Sequence, residues 1–62
     1  MKQEIVKRFL NKNIRLGLHD QTQILYGKIT EVQEDCMVFE TDKAVSVISL
    51  DSIKSIVLPG GW

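Results

Sequence analysis

Residues 24–40, ILYGKITEVQEDCMVFE, decide how the rest of the chain is read. They read as one long strand, a tight polar turn and a second strand. Leu25, Gly27 and Ile29 fall on one face of an extended chain, but the next apolar residue, Val32, is three positions on. A strand has a period of two, so a step of three implies a bulge or sharp bend near Thr30–Glu31. Gly27, just upstream, removes a side chain where the strand must curve over itself. Gln33, Glu34 and Asp35 make a polar break, and Cys36 to Phe39 resume the β pattern. A bent hairpin of this length, carrying most of the core, predicts the centre of a small barrel.

Upstream of the hairpin, Ile14, Leu16 and Leu18 alternate with Arg15, Gly17 and His19, which reads as a half-buried first strand. Asp20 to Gln23 supply its turn. Before that, residues 2–10 have helical spacing. Ile5 with Phe9 and Val6 with Leu10 are i,i+4 pairs that make one apolar stripe. Asn11, Lys12 and Asn13 end this helix, because Asn tolerates the left-handed backbone that closes one. Downstream, Thr41 to Lys43 read as a second turn and Ala44 to Leu50 as a fourth strand. Val45 and Val47 lie on one of its faces and Ile48 and Leu50 on the other, so both faces read as partly covered. Asp51 and Ser52 read as a tight turn bonded locally to the backbone. Ile53 to Leu58 form the last strand, and Pro59 stops it. The fold class expected is mainly β. Residues 1–62 form a single domain: a helix over about 2–10, five strands over about 13–58 and a flexible tail at 59–62. The strands form a strongly bent antiparallel SH3-like barrel, with the N-terminal α-helix across one end.

A chain of 62 residues is near the lower limit for a core that stands alone. A domain of this size buries only about 60% of its unfolded surface. Cys36 is the single cysteine, so no internal disulfide can form, and with His19 it cannot complete a structural zinc site. Oligomerisation is the remaining way to staple the fold. The lone cysteine and the absence of a signal peptide favour the cytoplasm. No apolar run approaches the roughly 20 residues of a membrane span. The formal charge of zero hides an asymmetry. Residues 1–15 carry Lys2, Lys7, Arg8, Lys12 and Arg15 against Glu4, a net +4; residues 16–62 carry three lysines against seven carboxylates, a net −4. A basic N-terminal end on an acidic body suits an anionic partner.

The helix segment VKRFLNKNIRL, the run YGKITEV and the segment VSVISLDSIKSIVLP together resemble the Sm-like superfamily of Sm, LSm and Hfq-like proteins. The resemblance covers almost the whole chain. It implies a homo-oligomeric ring of six or seven subunits. In such a ring the fourth strand pairs with the fifth strand of a neighbour, putting Val45, Val47, Ile53 and Ile56 at the contact. It also implies RNA as a partner. The family's motifs diverge here. Gln33, Cys36 and Met37 stand where an Asp and a Met-Asn pair are expected, and Ser49-Leu50 stands in place of Arg-Gly. Met37 and Ser49 thus occupy the family's nucleotide-pocket positions without its hydrogen-bonding groups, so uridine-specific binding is expected to be weak.

No carboxylate pair, metal-ligand cluster or phosphate loop is present, and the chain reads as a non-enzyme without a cofactor or metal. His19 has Asp20 beside it, but neighbours on a strand point to opposite faces and do not make a dyad. It reads as a surface residue, and Cys36 as a small buried or turn-flanking one. Met37 either fills the core or lines a pocket. Tyr26 either stacks a base or is a surface or interface aromatic. Trp62 either docks on a neighbour or ends a frayed tail. Two functional classes follow. One is a ring that binds RNA with little sequence preference through Lys2, Lys7, Arg8, Lys12 and Arg15. The other is a protein-scaffolding ring or small SH3-like interaction module that binds no nucleic acid.

Overall fold

The step of three between Ile29 and Val32 is a bulge. In the computed structural model, which describes residues 1–59, Ile29 lies opposite Phe39 and Glu31 opposite Val38. Thr30 is left as the extra residue, so Ile29 and Val32 both return to the inner side of the sheet. Ile29 and Phe39 are buried, and Val32 packs against them. Gly27 has the close approach that its sequence position implies. A Cβ there would run into the Glu40 carbonyl oxygen and come within 2.9 Å of the Phe39 ring.

Five antiparallel strands form one sheet: β1 Asn13–Leu18, β2 Leu25–Val32, β3 Cys36–Glu40, β4 Val45–Ser49 and β5 Ile53–Val57. Their order is β4-β3-β2-β1-β5. The mainly β class and the leading helical segment are as expected. The sheet does not close, however: β4 and β5 are its two edges, joined only by a 3-10 turn, Leu50–Ser52. That turn starts one residue earlier than the expected Asp51–Ser52 turn. Its local bond also comes from elsewhere, since the Ser49 hydroxyl accepts from the Asp51 N–H at 3.3 Å. The fourth strand therefore ends at Ser49, and Leu50 drops into the core.

A second bulge lies between β1 and β5. Leu16 is opposite Ile56, Gly17 opposite Ser55 and Leu18 opposite Ile53, which leaves Lys54 as the extra, exposed residue. Ile53 and Ile56 consequently share the inner side at a spacing of three, as Ile29 and Val32 do. Ile53 is only 2% exposed. It belongs to the core and not to the subunit contact expected of it, and Ile56 is half-buried against the same core.

The expected helix over 2–10 is shorter and tighter. One α-helical turn, α1 (Gln3–Val6), passes into a 3-10 turn at Lys7–Phe9, and Leu10 is already extended. In a 3-10 helix residues three apart eclipse one another. Phe9 therefore lies over Val6, and the period-3.6 stripe is lost: Val6 is buried and Phe9 packs on the core, whereas Ile5 and Leu10 are exposed. Asn11 closes the segment in the left-handed region at φ 63° and donates its N–H to the Ile29 carbonyl. At the other end the Met1 amino group donates to the Leu50 carbonyl at 2.6 Å. The helical segment thus spans from the Leu50 turn to the bend of β2. Of the tail at 59–62, Pro59 is half-buried, and residues 60–62, with both readings of Trp62, lie outside the described residues.

The two sheet glycines give a graded test. Gly27→Ala meets backbone and a buried ring, neither of which can step aside, and should cost about 1–3 kcal/mol or more. At Gly17 the new Cβ would meet the Ser55 hydroxyl at 2.7 Å, a side-chain tip that can turn away. Gly17→Ala should therefore cost clearly less. Urea midpoints of the two variants, measured at equal protein concentration, check the order.

Candidate functional site

The outward side of the sheet can be followed from strand to strand by cross-strand pairing. One row runs Val45, Glu40, Lys28, Asn13; a second runs Val47, Val38, Glu31; a third runs Tyr26, Arg15, Val57. Every one of these residues alternates with an inward neighbour, so the side chains on this face come from all five strands. The face mixes charges with apolar groups. Val45 and Val47 on one edge strand are 65% and 70% exposed, and Val57 on the other edge is also exposed. The expectation that both faces of the fourth strand are partly covered therefore fails on this side. Ile48, on the other side, is half-buried against the core.

The five basic candidates are all exposed, but they do not form one group. Lys2, Lys7, Arg8 and Lys12 follow the helical segment. Arg15 stands on β1, on the outward face of the sheet, with its guanidinium 5.7 Å from the centre of the Tyr26 ring. This is within the range of a cation–π contact. Tyr26 was recognisable as a candidate stacking residue, but its pairing with Arg15 depends on the β1–β2 register, which no local pattern in the sequence states.

Charge is also arranged differently from the simple basic-end, acidic-body division. The β2–β3 turn carries Glu34 and Asp35, and the Asp35 carbonyl accepts from the Leu50 N–H at 3.0 Å. Leu50 in turn holds the Met1 amino group. The acidic turn therefore adjoins the start of the helical segment, one residue from Lys2, while Lys7, Arg8 and Lys12 come later along it.

Met37 and Ser49 have structural work. Met37 is fully buried opposite Ile48, and Ser49 lies opposite Cys36 with its hydroxyl capping the 3-10 turn. His19 is an exposed turn residue whose N–H donates to the Ser52 carbonyl. Among the described residues no group of three or more His, Cys, Asp or Glu is placed to hold a metal ion, and no helix is long and apolar enough to cross a membrane.

No family model, no curated protein and no solved structure matches this chain.

Cys36 is half-buried at the start of β3, and its thiol donates to Gln33 Oε1 at 3.6 Å. Partial burial pushes the thiol above its ordinary value. The negative charges of the nearby Asp35 and Glu31 carboxylates push it the same way. The thiolate is the nucleophile, so a raised thiol is a sluggish one. Alkylation of Cys36 by iodoacetamide at neutral pH should be slower than that of free cysteine. Its rate should still be rising at pH 9.0, the ordinary thiol midpoint. Mass spectrometry of timed samples measures both.

Proposed function

We propose that the chain assembles edge to edge with copies of itself into a ring, and that the assembled helical segments bind RNA with little sequence preference. The observation that carries the assembly is the state of the two sheet edges. β4 and β5 are the two edges of the sheet and each present unpaired backbone groups, and on the same outward face β4 carries exposed Val45 and Val47 and β5 carries exposed Val57. An open edge of this kind invites another strand. Joining β4 of one copy to β5 of the next would set Val45 and Val47 against Val57, covering apolar surface on both sides of the joint. A head-to-tail contact repeated around a closed circle gives a ring. The resemblance to Sm-like proteins points the same way.

The RNA reading rests on the cations of residues 2–12. Lys2, Lys7, Arg8 and Lys12 are exposed, with Glu4 the one carboxylate among them. Repeating this segment around a ring would concentrate its charge on one side, which raises local anion concentration and association rate. Contacts of this kind hold phosphates and read no bases. Lys7 and Arg8 have first claim, because they sit away from the acidic turn beside Lys2.

Val47→Asp separates the two parts of this reading. The side chain faces solvent, so the subunit should still fold, but a carboxylate at the joint should convert the assembly to monomer by light scattering. A wild-type chain that is monomeric at micromolar concentration would refute the ring. In the intact assembly, Lys7→Glu with Arg8→Glu should abolish binding to mixed-sequence RNA. Wild-type binding should weaken with salt, with a logarithmic slope of about −0.7 per phosphate contact. If the wild type does not bind at low salt and tens of micromolar protein, the exposed valine face favours the protein-scaffolding alternative.

A further inference from the structure

We infer that Tyr26 and Arg15 form a stacking site for a base of single-stranded nucleic acid, on the outward face of the sheet and separate from the helical segment. The inference rests on the nucleic-acid reading above and adds a second, base-contacting site to it. Tyr26, on the central strand of the five-stranded sheet, is 63% exposed. Only β1 pairs with β2 at Tyr26, since β3 ends at Glu40 opposite Lys28, so the ring is uncovered on that side, and Arg15 reaches over it. A ring and a guanidinium held together offer flat faces for a planar group, and the guanidinium adds charge for an attached phosphate.

The surroundings favour a nucleotide over a plain hydrophobic partner. Tyr26 is one wall of an open groove of about 560 Å³ whose other walls include Asn13, Lys28, Glu40 and Asp42. Arg15 does not line that groove. Lys28, two residues along the same face, supplies a second positive charge beside the ring. Asn13 and Lys28 can donate hydrogen bonds to a base edge, and Asn13, Glu40 and Asp42 can accept them. The two carboxylates lie at the Glu40–Asp42 end and repel phosphate there. Lys28 faces Glu40 across the β2–β3 pair, so the nucleic-acid backbone is directed toward Arg15, with a base turned into the groove. Stacking of this type tolerates any base, because every base has a π-face.

The test compares a labelled mixed-sequence RNA 12-mer with a base-free (abasic) phosphodiester oligomer of equal length, by fluorescence anisotropy at low salt. Wild-type protein should bind the RNA more tightly. Tyr26→Ala should weaken RNA binding about 5- to 150-fold, the range for loss of one stacked base, and leave the abasic oligomer unchanged. Tyr26→Phe, which keeps the ring, should stay within about twofold of wild type for both. Since Tyr26 is the only tyrosine, its emission in a Trp62→Phe background gives a readout that does not depend on a variant at the site. RNA should quench it and the abasic oligomer should not. Equal wild-type affinity for the two probes, or an alanine variant that is folded and binds RNA like wild type, overturns the stacking site while leaving the helical-segment reading intact. Failure of the wild type to bind either probe overturns the nucleic-acid reading, and this site with it.

Discussion

Phe39 lies fully buried beneath the bend of β2, and most of the structure depends on how that bend is made. The ring needs room where a β-carbon would otherwise stand, and Gly27 leaves it. The bulge at Thr30 then turns the strand back, so that Ile29 and Val32 both face the core across β3. Without the extra residue, the part of β2 beyond the bend would present Glu31 inward and Val32 outward, because a shift of one residue exchanges the two faces of a strand. The helical segment is tied to the same place: Asn11 bonds to the Ile29 carbonyl, and Leu10 forms a bridge with Ile29. Bend, core and helix are thus one arrangement, and a change at Gly27 disturbs all three.

The same economy of size explains the unfinished edges. Among the described residues the buried core is nine apolar side chains, seven of them drawn from every strand but β4 and the other two Val6 and Leu50. Of the two inward residues of β4, Ile48 is only half-buried and Ser46 is exposed, and the outward residues are bare. β4 is therefore held mainly by its ladder to β3 and by Leu50 at its end. A strand in this position gains more from a further partner than any other strand of the sheet, since both its free backbone groups and its valines would be covered at once. This is a thermodynamic argument for association that stands apart from any family likeness.

How far the sequence disclosed this depends on which interactions are local. The bulge in β2 is legible because its signature, an apolar step of three, lies within one strand. The bulge in β5 carries the same signature in Ile53 and Ile56, while the placing of Ile53 at a subunit contact came from the resemblance and not from that spacing. The helical stripe was misjudged for a different reason. Ile5, Val6, Phe9 and Leu10 fit a period of 3.6, but four residues of α-helix followed by a 3-10 turn do not keep that period. Exposure of the basic residues was readable, since long charged side chains are almost never fully buried without a partner. The Arg15–Tyr26 contact was not, because it joins residues eleven positions apart through a register set by the whole sheet.

The fate of Met37 and Ser49 shows why missing pocket groups do not leave an empty pocket. In the resemblance these positions supply hydrogen bonds to a nucleotide, which requires side chains turned out of the fold. Met37 is instead turned into the core opposite Ile48, where a polar group without a partner would cost about 1–3 kcal/mol. Ser49 keeps a hydroxyl, but that hydroxyl accepts from the Asp51 N–H and shapes the turn from β4 to β5. Restoring Asn at position 37 would therefore place an amide in the apolar core, and Arg at position 49 would remove the hydroxyl that accepts from the Asp51 N–H. Any nucleotide contact in this chain must come from groups that the core and turns have left free, and on the described surface those include the cations of the helical segment and the outward face around Tyr26.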